Sequence, residues 1–167
     1  MATLGAKVTG IDLNASLIEV GNLHKLESGI EVEYKEESVE AHALLHAEQY
    51  DVVTCLEMLE HVPNPLSIIQ ACARLVKPKG HVFFSTLNRN PKSYLFAIIG
   101  AEYLLKILPK NTHDYAKFIR PSELSKWIKQ VNLIPQDLVG INYNPLTQQF
   151  KLSKDISVNY LMHASKD

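Results

Sequence analysis

Tyr50-Asp51-Val52-Val53-Thr54-Cys55-Leu56-Glu57-Met58-Leu59-Glu60-His61-Val62 decides how this chain is read. Tyr50 to Cys55 is a continuous apolar run of the kind that forms a parallel strand buried on both faces. A short turn then projects two carboxylates and an imidazole, and Pro63-Asn64-Pro65 punctuates the chain before another helix can start. Glu57, Glu60 and His61 stand at i, i+3 and i+4, so one turn of helix would put all three on a shared face. Hard oxygen ligands beside one imidazole suit Mg²⁺, Mn²⁺ or Zn²⁺. The same trio suits general-base chemistry, and the residues alone leave both open.

Outward from this stretch, strand-like and helix-like segments alternate, which predicts an α/β domain with a mainly parallel sheet. Lys7 to Asp12 reads as a strand. Asn14 caps a helix carrying Leu17, Val20, Leu23 and Leu26, and Gly29 stops it. Glu31 to Lys35 is a short alternating strand, and Ser38 opens a weaker helix through His46. Leu66, Ile69, Ala73 and Val76 line one face of a helix expected to end at Lys77-Pro78-Lys79-Gly80, with a strand from His81 to Thr86 after it. Pro121 and Ser122 start a helix through Trp127. Two late strands are expected, Leu133 to Tyr143 and Ser157 to Ala164.

Between Asn88 and Arg120 a long insertion replaces the expected short crossover. Ser93 to Leu108 is helical in pattern but apolar nearly all round, and Arg89 through Lys129 carries eight Lys/Arg against three Asp/Glu, a local excess of 8 − 3 = +5. An apolar helix in a basic frame suits an anionic membrane surface, a cover over a greasy ligand, or an ordinary core helix under a lid.

With 167 residues the chain has the size of one domain and is expected to form a single unit. Hydrophobic residues make up 46% and charged residues 21%, as in soluble globular proteins, and no apolar run reaches the roughly 18 residues that would span a bilayer. Lys+Arg of 17 against Asp+Glu of 18 provides no global basic field, which argues against nucleic acid as a partner. Cys55 and Cys72 lack metal-type spacing and read as buried, reduced thiols. Met1-Ala2-Thr3-Leu4-Gly5-Ala6-Lys7 has no signal-peptide pattern, so a cytoplasmic location is expected.

Asp12 closes the strand Val8-Thr9-Gly10-Ile11-Asp12, where a carboxylate can accept both hydroxyls of a ribose or simply form a turn. Ligands of open α/β sheets bind outside the carboxyl ends of strands, where Leu56 to His61 would also lie. Ser85 and Thr86 lack the strand-turn-helix elbow of a nucleophilic serine, which disfavours nucleophilic hydrolysis. Arg89, at another strand end, is placed to meet a carboxylate or an anionic headgroup. His24, His42, His46, His81 and His163 read as surface or packing residues, and His113-Asp114 as a possible site.

Val8 to Asp12, Tyr50 to Val62, Phe83-Phe84-Ser85-Thr86-Leu87-Asn88-Arg89-Asn90, Gly100-Ala101-Glu102-Tyr103 and Thr112-His113-Asp114 together resemble the ubiquinone-biosynthesis O-methyltransferases, a family of class I, S-adenosylmethionine-dependent enzymes. The resemblance covers essentially the whole chain. It implies a Rossmann-like sheet with helices on both faces and a helical insertion at about 88–120. It also implies S-adenosyl-L-methionine as cofactor, with Asp12 on the ribose and Leu56 against the adenine. Glu57, Glu60 and His61 would form a metal-dependent catalytic turn, with Mg²⁺ or another divalent cation. The implied substrate is a phenol or catechol hydroxyl of a polyprenylated ubiquinone precursor, and residues 93–110 would then reach an anionic membrane surface, giving peripheral association with the inner membrane. Leu56 stands where the family often has methionine. The family's first strand and glycine-rich turn should precede Ala2, so a domain incomplete at its N-terminus is expected over 1–167. The alternative from another class is a truncated, non-catalytic methyltransferase-like module in a membrane-associated lipid-modifying complex of ubiquinone biosynthesis.

Overall fold

The computed structural model describes residues 1–94, 115–144 and 149–167, and the chain divides into two compact units, Met1–His46 and Ala47–Asp167. The expected apolar helix from Ser93 to Leu108 lies, beyond Tyr94, outside the described residues, as does His113-Asp114.

In the first unit, strands β1 (Val8–Asp12) and β2 (Val32–Glu36) pair in parallel, from Val8 opposite Val32 to Asp12 opposite Glu36. Parallel neighbours need a crossover, here helix α1 (Ala15–Ser28). The helix starts where it was expected, because the Asn14 side chain accepts the Ser16 N–H at 3.0 Å. It stops at Gly29, whose φ of 66° needs a residue without Cβ. A Cβ on Gly10 or Gly21 would stand 2.9 Å or 3.1 Å from the Tyr34 ring, so these two glycines form the slot that receives it. Leu17, Val20, Leu23 and Leu26 are exposed, since α1 turns Gly21, not its leucines, toward Tyr34. Helix α2 (Val39–Leu45) is capped by the Ser38 hydroxyl. It buries His42, which bonds Glu37 Oε1 at 2.7 Å through Nδ1.

The second unit holds β3 (Tyr50–Leu56), helix α3 (Pro65–Leu75), β4 (Val76–Leu87), a helical turn α4 (Pro91–Ser93) and helix α5 (Pro121–Gln130). Strands β5 (Leu133–Asn144), β6 (Gln149–Ser153) and β7 (Asn159–Lys166) follow. Its sheet runs β3-β4-β7-β5-β6. Only β3–β4 pairs in parallel; the other three pairings are antiparallel, so the expectation of a mainly parallel sheet is corrected here. The expectation of β3 buried on both faces is corrected too. β3 is the end strand of this sheet and buries only Cys55. Lys77-Pro78-Lys79-Gly80 does not end α3 but bulges within β4: Tyr50 pairs with Val76 and Val52 with His81, leaving four residues out of register, with Lys79 at φ 64°. A third late strand, β6, was not expected, and α5 runs three residues beyond Trp127.

The core forms where α3 and α5 meet the sheet. α3 buries Ile68, Ile69, Ala71, Cys72, Ala73 and Leu75, and α5 buries Leu124 and Ile128. Cys55 and Cys72 are both buried free thiols, as expected.

The loop 153–158 holds the end of β4 in place. Asn88 Nδ2 donates to the Ile156 carbonyl at 2.8 Å, and Asn90 Nδ2 to the Ser157 carbonyl at 2.6 Å. Lys92 meets Asp155 at 2.7 Å. The loop comes so near β5 that a Cβ on Gly140 would fall 1.8 Å from the Asp155 carbonyl oxygen. Gly140→Ala should therefore displace the loop and destabilise the fold by about 1–3 kcal/mol, read as a lower urea midpoint at unchanged slope. An unchanged midpoint would show that the loop yields at no cost.

Candidate active site

The chemistry-bearing residues collect at the carboxyl ends of β3 and β4. The parallel register sets Cys55 beside Phe84 and Leu56 beside Ser85. Leu56 is 53% exposed, an apolar side chain left in water at a strand end. At Glu57 the chain turns into the left-handed region, φ 50°, which costs a residue with a Cβ about 1–2 kcal/mol. The turn is held by Ser85: the Glu57 N–H donates to the Ser85 carbonyl and to Ser85 Oγ, each at 3.0 Å, while that hydroxyl donates to Glu57 Oε1 at 2.7 Å.

A 3-10 turn follows at Leu59–His61, anchored by the fully buried Leu59. Glu60 is only 3% exposed. The Thr86 hydroxyl donates to its Oε2 at 2.7 Å, and its Oε1 is buried with no hydrogen-bond partner among the described residues. His61 is exposed. The expectation that Glu57, Glu60 and His61 share one helical face is corrected by this geometry. The left-handed turn puts Glu57 before the helix, and hydrophobic anchoring at Leu59 turns Glu60 inward while His61 faces water. Among the described residues no three His, Cys, Asp or Glu side chains converge to hold a metal ion.

Behind this turn lies a second layer of polar side chains. Tyr160 on β7, directly opposite Thr86, is fully buried, and its hydroxyl donates to the Ile119 carbonyl at 3.0 Å. Burial first, then the negative charges of Glu123, Glu60 and Glu57, push its phenol far above the usual tyrosine range. Arg89 does meet a carboxylate: its guanidinium pairs with Glu123, whose other oxygen accepts the Arg120 N–H at 2.8 Å and caps α5. Sequence reasoning missed Ser85, Thr86 and Tyr160 as site residues. The available signal was two adjacent hydroxyls closing the apolar strand His81 to Thr86.

In the first unit, Asp12 stands exposed at the carboxyl end of β1. Its Oδ1 accepts the Asn14 N–H at 2.8 Å, so this carboxylate shapes the turn into α1 and still presents itself to solvent. The two surface depressions beside α5, about 540 Å³ along Ser122 to Gln130 and about 300 Å³ between Pro121 and Met162, include none of these groups.

Residues 1–135 match the family described as methyltransferase domain. Over all 167 residues the chain is 56% identical to the ubiquinone biosynthesis O-methyltransferases of Yersinia pestis (strain Pestoides F) and Yersinia pseudotuberculosis (serotype O:1b), and it spans 69% of their length. Among solved structures, an S-adenosylmethionine-dependent methyltransferase from Methanosarcina mazei superposes with a TM-score of 0.71 at 20% identity, over 99% of this chain and 84% of that one. A methyltransferase-like protein from Bacillus halodurans superposes at 0.67 and 18%, over 96% and 83%. At these identities the two structures show the fold alone, and that fold is α/β.

The raised Tyr160 phenol has a consequence for stability. Unfolded tyrosine ionises near pH 10, whereas buried Tyr160 stays protonated, so its stabilising contribution is complete below about pH 10 and declines progressively as pH rises above that toward the raised folded value. Tyr160→Phe should flatten the fall in unfolding free energy between about pH 9 and 11, measured by urea titration. An equally steep fall in the variant would assign the alkaline loss to other groups.

Proposed function

The chain belongs to the S-adenosylmethionine-dependent methyltransferases, and within them to the ubiquinone biosynthesis O-methyltransferases; on that premise we propose how its own residues perform the reaction. The enzyme methylates a phenolic hydroxyl of a polyprenylated ubiquinone precursor, and residues 1–167 act as one methyltransferase domain. When bound, S-adenosylmethionine supplies an electrophilic methyl carbon whose bond to sulfur breaks with the electron pair left on sulfur.

Asp12, exposed at its strand end, accepts the ribose hydroxyls, and half-exposed Leu56 lies against the adenine. A phenol with a pKa near 10 is mostly protonated at neutral pH, so the site must remove its proton. His61 takes that proton as general base, because the turn leaves its imidazole exposed while the carboxylates of Glu57 and Glu60 each accept a hydroxyl hydrogen bond from β4. Glu57 and Glu60 favour the imidazolium that results. Methyl transfer from the bound cofactor would then depend chiefly on how this site aligns the phenolate oxygen with the methyl group. The supporting observation is the turn itself, a left-handed glutamate and a buried glutamate each held by a hydroxyl of the neighbouring strand.

A second reading gives Glu57, Glu60 and His61 a divalent cation, Mg²⁺, and its favouring observation is the buried Oε1 of Glu60, which has no hydrogen-bond partner among the described residues. The three groups as placed do not converge as ligands, so no step is derived through a cation. His61→Asn should lower kcat by about 10²–10⁴-fold with little change in cofactor affinity, and excess chelator should leave the parent rate unchanged. Loss of turnover in chelator, restored by Mg²⁺, would replace the direct base with the metal.

No helix among the described residues is long and apolar enough to cross a membrane. We propose peripheral association with the inner membrane from the cytoplasmic side, through the apolar, basic-framed sequence 93–110, within an assembly that makes ubiquinone. Burying a few of Leu95, Phe96, Ile98 and Ile99 in an acyl layer is worth about 1.5–3 kcal/mol each, and each nearby lysine adds about 1 kcal/mol against anionic lipid. The protein should co-sediment with anionic liposomes, release as salt rises, and lose binding on Phe96→Asp plus Ile99→Asp with its urea midpoint unchanged. Unfolding of that double variant would identify a core helix instead.

A further inference from the structure

We propose that Ser85 and Thr86 are positioning residues for the reaction, each holding one carboxylate of the Glu57–His61 turn in its working orientation. The inference rests on the reading of that turn as the catalytic element, and it assigns work to two hydroxyls that nucleophilic chemistry cannot use.

Consecutive residues of a strand point to opposite faces, so Ser85 and Thr86 address the turn from two sides of β4. Both are buried, 2% and fully, directly after the apolar stretch Val82-Phe83-Phe84 of β4. A buried hydroxyl is costly unless bonded, and each of these donates its one proton to a carboxylate: Ser85 to Glu57 Oε1 and Thr86 to Glu60 Oε2, both at 2.7 Å. Ser85 also accepts the Glu57 N–H, so a single side chain clamps both the left-handed backbone and the carboxylate it carries. Glu60 depends on Thr86 more completely. With Oε1 lacking a partner, the Thr86 hydroxyl is the donor that sets the plane of its carboxylate among the described residues. Tyr160, opposite Thr86, does not take over this work, because its hydroxyl is turned to Ile119. The carbon-13 resonance of a carboxyl responds to the loss of a hydrogen-bond donor, so misplacement of either glutamate has a signature that packing alone lacks.

The test compares Thr86→Val, which removes the hydroxyl at constant shape, with Thr86→Ser, which retains it. Turnover is followed with S-adenosylmethionine and a tail-less catechol, and the carbon-13 shift of the Glu60 carboxyl is recorded at one neutral pH in the same proteins. The valine variant should lose about tenfold in kcat, the size of one lost charge-assisted hydrogen bond, with KM for S-adenosylmethionine within about twofold. Its Glu60 carboxyl resonance should move from the parent position, while the serine variant keeps the parent rate and resonance. In a Glu60→Gln background, Thr86→Val should cost nothing further. A parent-like kcat and Glu60 carboxyl resonance in the valine variant, or additive losses in the double variant, would overturn the proposal for Thr86. If the valine variant does not fold, Ser85→Ala carries the same measurements on Glu57, with the same two overturning results. A parent protein that transfers no methyl group defeats the catalytic reading, and the carboxyl resonances still decide whether the two hydroxyls hold the glutamates.

Discussion

The pairing of β3 with β4 is the constraint on which the site depends. Parallel register sets Leu56 beside Ser85, and from that one alignment the Glu57 N–H finds the Ser85 carbonyl and hydroxyl as the chain leaves the sheet. A left-handed glutamate is unfavourable on its own and is offset here by hydrogen bonds in a site partly shielded from water. A slip of one residue would turn Ser85 and Thr86 to the wrong faces and take both hydroxyl donors from the carboxylates.

The rest of the second unit keeps that register. β7 runs antiparallel along β4 from His81 to Leu87, so the strand bearing both hydroxyls is paired on two sides along its carboxyl half. Lys166, at the end of β7, donates to the carbonyls of Ala73 and Val76 at 3.0 Å and 3.1 Å and to Glu48 at 3.0 Å. It places a cation where α3 ends in unsatisfied carbonyls. Tyr160, Ile119, Arg89 and Glu123 connect the same strands to the start of α5, so the floor beneath the turn is polar but bonded throughout the pairs described.

Much of this was legible in the residues. Asn14 and Ser38 cap helices because a short polar side chain satisfies an orphan N–H, and Gly29 stops one because it alone tolerates the required φ at little cost. Pattern failed where local signals competed with pairing. Pro78 and Gly80 read as a terminator, yet the sheet absorbs them as a bulge since Tyr50 still finds Val76. The apolar run Tyr50 to Cys55 reads as a doubly buried strand, but burial depends on what lies beside it, and in its own sheet β3 is an end.

Sequence by itself determined the kind of chemistry: two carboxylates and an imidazole after an apolar strand, an acid after another, and a pattern that family comparison and similarity to relatives carry to a methyltransferase. Only tertiary structure decided how those groups stand. Spacing of i, i+3 and i+4 assumes a continuous helix, whereas Glu57 leaves the strand left-handed and Leu59 is driven into the core, which turns Glu60 inward toward Thr86 and leaves His61 in solvent. The partners that orient the carboxylates, Ser85 and Thr86, lie 28 and 26 residues further along the chain. No local pattern encodes such a pairing, because it exists only after two strands have met in register.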